Sequence, residues 1–181
     1  KGQRIVFVGT GRLLDIGDFG SSLVQTMYGI ADGALLSNAR TGLVAQTYNS
    51  SNDTVTSNAV DWTTQRGWYM DLPAGQQANT RPTIAYGALA FVANLNGGND
   101  CTAKSWLYVV NLLTGSKFTG TEYVSSLISN TSSSSGVTAL VTSGQRIVGA
   151  GQNADGLPWD RTITNGVPIV PAKNAWRELR R

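Results

Sequence analysis

Apolar residues in this chain come in short bursts, each closed by Gly, Asn, Asp, Ser or Pro, a pattern of strands and turns. Arg4–Val8 (RIVFV) is rich in the β-branched and aromatic side chains that suit a pleated surface, and Gly9-Thr10-Gly11 ends it. A second strand is predicted over Gln25–Ala31 (QTMYGIA), stopped by the Asp32-Gly33 turn, and a third over Leu43–Tyr48. Asn49–Asn58 (NSSNDTVTSN) reads as a long exposed loop. Gly67–Leu72 (GWYMDL) is a fourth strand, ended by Pro73. Thr83–Asn94 (TIAYGALAFVAN) holds two apolar runs around Gly87, a tight hairpin or a bulged strand, and Trp106–Leu112 (WLYVVNL) follows, closed by Thr114-Gly115. Helix is expected nowhere except for a turn near Thr121–Ser129, where EYVSSLI tolerates it.

The pattern restarts. VFVGTG and MYGIADG in the first half return as AFVANL and LYVVNLLTG in the second, and a fainter third copy starts at Gly136 with VTALVTSGQRIVGA, a hairpin across Ser143-Gly144. Repeated short strands with aromatic and glycine punctuation are the signature of radial β architectures, whose blades have four strands. The interval from Phe7 to Phe91 exceeds one blade of about 40–45 residues, so an insertion or a blade without its signature lies between them. Room for roughly three blades is less than the roughly four to eight that close a ring. The expected fold is therefore all-β, a partial β-propeller of antiparallel blades forming an arc of a larger ring, with residues 1–181 as one part of that domain. A β-sandwich with irregular hairpins is the alternative.

Composition agrees with strands and turns. Charged residues make up 14%, well below the roughly 25% of ordinary domains, and 21 glycines with abundant Ser, Thr and Asn stand in their place. The net charge of +3 owes much to Arg177, Arg180 and Arg181 at one end, a solvated terminus, and no recognised nucleic-acid module accompanies it. No apolar run is long enough to cross a bilayer. Lys1 is followed at once by Gly2, Gln3 and Arg4, an abrupt start that reads as part of something longer. Cys101 stands alone and forms either a free thiol or a bond to a cysteine outside this chain.

VFVGTGR at Val6–Arg12, QTMYGIAD at Gln25–Asp32 and RGWYMDLPAGQQANTRPTIAYGALAFVAN at Arg66–Asn94 resemble the C-terminal propeller of the PilC/PilY family, the assembly factors and tip adhesins of type IV pili. WREL at Trp176–Leu179 is similar to that family's ending. The resemblance implies a non-enzymatic pilus biogenesis and surface adhesion factor that works with minor pilins or other tip proteins and with the rest of its own polypeptide. In some members host cells or abiotic surfaces are also contacted. It implies a location in the periplasm, the outer membrane or the cell surface at the pilus tip. The family's calcium loop is a run of alternating Asp and Asn, and Asp15-Ile16-Gly17-Asp18 and Asn153-Ala154-Asp155-Gly156 are at best fragments of one. Calcium is thus expected outside this chain, and no cofactor within it.

Site chemistry is sparse. With no histidine, the chain lacks the usual neutral-pH base, the Ser-His-Asp triad and the common zinc ligand, and no catalytic, cofactor-binding or metal-binding residue is assigned. The aspartates, among them Asp18, Asp32 and Asp155 beside glycines, are expected to satisfy turn backbones. Asp15 and Asp18 supply too few oxygens for a hard cation. Trp68 and Trp106 lie within apolar strands and are expected in the core, whereas Trp159, between Pro158 and Asp160, is the candidate exposed interface anchor, with Arg161 beside it. Trp176 and Leu179 are expected to close the ring as a terminal strand. Two other functions fit the same pattern: a quinone-dependent dehydrogenase propeller, whose pocket several blades would share, and a glycan-binding module using Trp159.

Overall fold

The computed structural model describes residues 4–33, 38, 40–97, 102–141 and 146–164. Cys101, Trp176 and Leu179, and with them the terminal closing strand, lie outside the described residues. The described chain is all-β, with a single 3-10 turn at Ile16–Asp18. Three sheets form. The first contains β1 (Ile5–Gly9), β2 (Thr26–Ala31), β3 (Leu43–Gln46) and β6 (Gly67–Asp71), in the order β1-β2-β6-β3. Between β3 and β6 a small hairpin, β4 (Tyr48–Asn49) with β5 (Thr54–Val55), stands apart.

The central sheet has the order β11-β10-β9-β7, from β7 (Gln76–Gln77), β9 (Ala88–Asn96), β10 (Ala103–Asn111) and β11 (Ser125–Ser129), and β8 (Thr83–Ala85) also pairs with β9. β8 to β11 run as a plain antiparallel meander. The hairpin between β8 and β9 turns on Tyr86 (φ 48°) and Gly87 (φ 89°), two successive left-handed residues that match the twist of paired strands. The third sheet is the meander β12 (Thr138–Val141), β13 (Ile147–Gln152), β14 (Pro158–Thr164).

The sheets stack. Leu89, Phe91, Ala93, Tyr108 and Val110 of the central sheet share one core with Met27, Trp68 and Met70 of the first. On its other face Ala88, Ala90, Val92, Leu107 and Val109 share a second core with Ile147, Trp159 and Ile163 of the third. β9 is covered on both faces, which is why its sequence is almost continuously apolar instead of alternating. Phe91 lies flat on Tyr108 at 5.1 Å between centroids.

Two Gly–Trp pairs set how closely the layers approach. Gly29 sits directly across from Trp68, and Gly151 from Trp159. A Cβ on Gly29 would stand 2.6 Å from the Trp68 ring, and one on Gly151 2.7 Å from that of Trp159, so each indole lies over bare backbone.

Several expectations are corrected. The Asn49–Asn58 loop contains the β4–β5 hairpin, and the helical turn expected over Thr121–Ser129 is the strand β11. Pairing is not antiparallel throughout, since β3 runs parallel to β6 after skipping past it to the sheet edge. Among the described residues the sheets close neither a barrel nor a ring.

Candidate functional site

A polar loop surface lies where the chain leaves β1. Gly9 and Gly11 cross directly over the strand β7: a Cβ on Gly9 would meet the Ala78 carbonyl oxygen at 2.4 Å, and one on Gly11 (φ +117°) the Gln77 side chain at 2.6 Å. The crossing is pinned by Thr10 N–H to the Thr26 carbonyl (2.9 Å), Ala78 N–H to the Thr10 carbonyl (3.0 Å) and Thr26 N–H to Thr10 Oγ1 (2.7 Å). This is the strand-ending turn expected of Gly9-Thr10-Gly11.

Beyond it, Asp18 gathers the loop. Its carboxylate accepts from Arg12 Nε at 2.8 Å and from the N–H groups of Leu14 and Asp15 at 2.9 and 3.1 Å. These donors, Leu14 foremost and then Arg12, hold its pKa below the ordinary carboxylate value. Oxygens filled by donors are the reverse of what a hard cation requires. Among the described residues, no three His, Cys, Asp or Glu side chains come together as a metal site.

Two adjoining grooves, of about 490 and 430 Å3, flank Gly11 and Arg12. Gln77, buried at 4% exposure, lines one of them; its Nε2 donates to the Asp18 carbonyl (3.3 Å), while its Oε1 has no partner among the described residues. Thr80 Oγ1, on the other, is likewise unpartnered. Behind them Asn94 donates to Asn79 Oδ1 and to the Ser134 carbonyl, both at 3.0 Å, and accepts from Ser105 Oγ at 2.6 Å and Ser134 N–H at 2.9 Å. This network ties the central sheet to the segment entering the third. Hydrogen bonding to hydroxyls and amides is the chemistry this surface offers. The apolar sequence pattern gave no sign of Gln77 or Asn94; the polar run Gln76-Gln77-Ala78-Asn79-Thr80 after Pro73 was the available signal.

Trp159 is not where its polar neighbours placed it. It is 7% exposed, inside the second core on β14, with its indole Nε1 donating to Ser134 Oγ at 2.8 Å. Trp159 and Ile163 turn into this core while Asp160 remains exposed, but Arg161, at the same parity as Trp159, is also exposed, so alternation alone does not account for the burial. A buried indole cannot be the exposed anchor. Arg161 stays exposed and reaches across to the Leu127 carbonyl (3.2 Å) and the Asp160 carbonyl (2.8 Å). The structure does not bring Trp159 and Arg161 together as one surface patch.

Asp61 holds a turn although neither glycine nor serine flanks it, whereas Asp71 lies on a strand and forms an ion pair. Asp61 accepts from the N–H and Oγ1 of Thr63 and from Thr64 Oγ1, and these bonds, Thr63 first, hold its pKa low. Asp71 pairs bidentately with Arg40 (3.0 and 2.6 Å), whose guanidinium lies 4.5 Å over the Tyr69 ring, an exposed patch on the outer side of the first sheet.

Three tyrosines record the core in their titration. Burial raises the pKa of Tyr108, whose hydroxyl donates to Gln76 Oε1 at 2.7 Å, and that of Tyr48, and pushes Tyr123 up to about 12. For an acid held neutral by burial, the folded pKa exceeds the unfolded one. The stabilisation is therefore complete below about pH 10 and is lost as pH rises through the folded values. We expect ultraviolet phenolate titration to show these three ionising only as the chain unfolds, with unfolding beginning above about pH 10. Six tyrosines titrating together in a chain that stays folded would contradict it.

Fold and surface define an all-β protein of stacked sheets with a hydrogen-bonding loop face. The chain is similar to a curated relative, the "Type IV pilus biogenesis factor PilY1 homolog" of Xylella fastidiosa (strain Temecula1), at 29% identity over an alignment of 157 residues that covers 77% of this chain. The chain spans 11% of that relative's length. No protein-family model and no solved structure matches it.

Proposed function

We propose that this chain is a non-enzymatic interaction scaffold in type IV pilus biogenesis and surface adhesion, one arc of a larger β-propeller that contacts minor pilins at the cell envelope. The similarity to a pilus biogenesis factor carries the reading. The fold supports the arc. Sheets packed face to face through both sides of a central layer are the arrangement of successive blades.

The outer side of the first sheet adds to this. The bond from Asp32 N–H to the Arg4 carbonyl heads the β1–β2 ladder as that from Leu112 N–H to the Gly87 carbonyl heads β9–β10. Aligned on those bonds, Val6, Val8, Tyr28 and Ile30 take the places of Leu89, Phe91, Tyr108 and Val110. The latter four are at most 1% exposed beneath the first sheet, whereas Val6 and Val8 are 47% and 45% exposed. An apolar face that no described residue covers supports an interaction surface there.

The test is genetic. Deleting the codons for residues 4–164 from the native gene is expected to abolish surface pili seen by electron microscopy while cellular pilin persists. Val8→Glu, an exposed change on that face, is expected to lower co-purification of minor pilins without altering the melting curve. Normal piliation after the deletion would overturn the proposal.

A further inference from the structure

The two fully meandering sheets share a rule that the first sheet leaves incomplete. β9 has β10 on one edge and, on the other, β8, the strand before it in the chain. β13 has β14 on one edge and β12, the strand before it, on the other. β1 corresponds to β9 through the ladder alignment already given. It has β2 on the matching edge, and on its other edge no described strand pairs with it.

The backbone groups on that edge can be named. Arg4–Asp32 and Thr10–Thr26 are hydrogen-bonded pairs of the β1–β2 ladder, so Val6 and Val8, at the same parity, also turn their N–H and C=O groups toward β2. Ile5, Phe7 and Gly9 turn theirs outward. They correspond to Ala88, Ala90 and Val92, and in the central sheet Ala88 and Ala90 face Ala85 and Thr83 of β8. The edge is also unguarded. Ile5–Gly9 reads IVFVG, with no charge, no proline and no bulge, the devices by which native sheets keep an edge from pairing. A bare apolar edge of this kind is either covered or prone to join another chain.

We propose that the outer edge of β1 is a strand-docking site, filled by an antiparallel strand of the same polypeptide that reaches β1 from its amino-terminal side and takes the position β8 holds on β9. The Thr-Ile-Ala of β8 and Thr-Ala-Leu-Val of β12 set its character: short, uncharged and built of strand-forming residues. Main-chain bonds supply the affinity, as in other cases of β-augmentation. The site follows from the pairing pattern alone and stands apart from the pilus reading.

The test is amide hydrogen exchange on the 181-residue chain. As it stands, Val6 and Val8 are expected to be protected and Phe7 to exchange freely at every protein concentration. A graft is then made in which Thr-Ile-Ala-Tyr-Gly, the sequence of Thr83–Gly87, replaces Lys1–Arg4 and leads directly into Ile5. In it Phe7 exchange is expected to slow by at least about tenfold while Val6 and Val8 stay protected. Proline at the alanine of the graft removes the N–H facing Ile5 and is expected to return Phe7 to free exchange. A second graft carrying Thr-Ala-Leu-Val in place of Thr-Ile-Ala covers the case in which the first disturbs folding. Three results would overturn the proposal. Phe7 unprotected in both folded grafts means the edge accepts no strand. Phe7 protected from the start at all concentrations means the chain already covers it. Protection that grows with concentration assigns the edge to a second copy.

Discussion

Trp68→Ala is expected to destabilise the folded chain by about 3–5 kcal/mol, measured by urea unfolding at neutral pH. Trp68 is 0% exposed, and its ring lies between two glycines: added Cβ atoms would come within 2.6 Å of it from Gly29 and within 2.4 Å from Gly115. Nothing on either side can swing in to fill the space, because both walls are backbone. The indole Nε1 also donates to the Leu112 carbonyl at 3.0 Å, and losing that partner leaves a carbonyl at the layer boundary unsatisfied. Phe7, 6.3 Å away, loses its ring neighbour. Set against the roughly 5–15 kcal/mol total stability of a domain, the change brings the variant close to unfolding at room temperature. The converse substitutions, Gly29→Ala and Gly115→Ala, push a methyl group into the ring and should destabilise as well. A Trp68→Ala loss below about 1 kcal/mol would show that the first and central sheets do not depend on this seat.

What could be read in advance followed the strength of the apolar signal. β1, β2, β6, β9 and β10 were legible because they are the strands that bury side chains between layers, and β9 most clearly because both faces are covered. β14 was hidden by Pro158 and by charges at Asp160 and Arg161, yet proline is tolerated as the first residue of a strand and the charges fall at the solvent edge. β11 was mistaken for a helical turn because EYVSSLI has no local preference strong enough to oppose either state, and pairing with β10 decided the matter. The parallel entry of β3 was not legible, since nothing in Leu43–Gln46 records which strand it will meet. Trp159 failed for a related reason. Its burial depends on Gly151 lying opposite, a register relation between strands that local flanks do not encode. The hydrogen-bonding groove was missed because its residues, Gln77, Thr80 and Asn94, come together only when the loop after β1 crosses β7.

The β4–β5 hairpin gives the second large effect, through a single carboxylate. Asp53 holds a left-handed backbone (φ 51°) that Asn and Asp adopt more readily than most side chains. From there its Oδ2 accepts the Val124 N–H at 2.9 Å and its Oδ1 the Ser125 N–H at 2.8 Å, with the Tyr48 hydroxyl donating to the same Oδ1 at 3.1 Å. The hydrogen bonds span 71 and 72 residues, so this turn clamps the small β4–β5 hairpin onto the start of β11 in the central sheet. Tyr48 adds a bond with Ser125 Oγ at 2.8 Å and an edge-on contact with Tyr108 at 5.3 Å. Val124 is 0% exposed, and without Asp53 its N–H gives up this hydrogen bond at a site closed to solvent. Asp53→Ala therefore removes two charge-assisted bonds to backbone and places a Cβ-bearing residue at positive φ without a compensating local bond. The expected cost is about 2–4 kcal/mol. Asp53→Asn keeps the backbone preference and one acceptor oxygen, and should lose about half as much. The two variants separate the clamp from the turn: if backbone strain alone mattered, Asn would behave as Asp does. A double-mutant cycle of Asp53→Asn with Tyr48→Phe should show coupling of about 0.5–1.5 kcal/mol, because both side chains act on Ser125. Urea unfolding measures all three. An Asp53→Ala loss below about 0.5 kcal/mol would mean that the hairpin and β11 are held by packing instead of by this carboxylate, and additive losses in the cycle would mean that Tyr48 and Asp53 act independently.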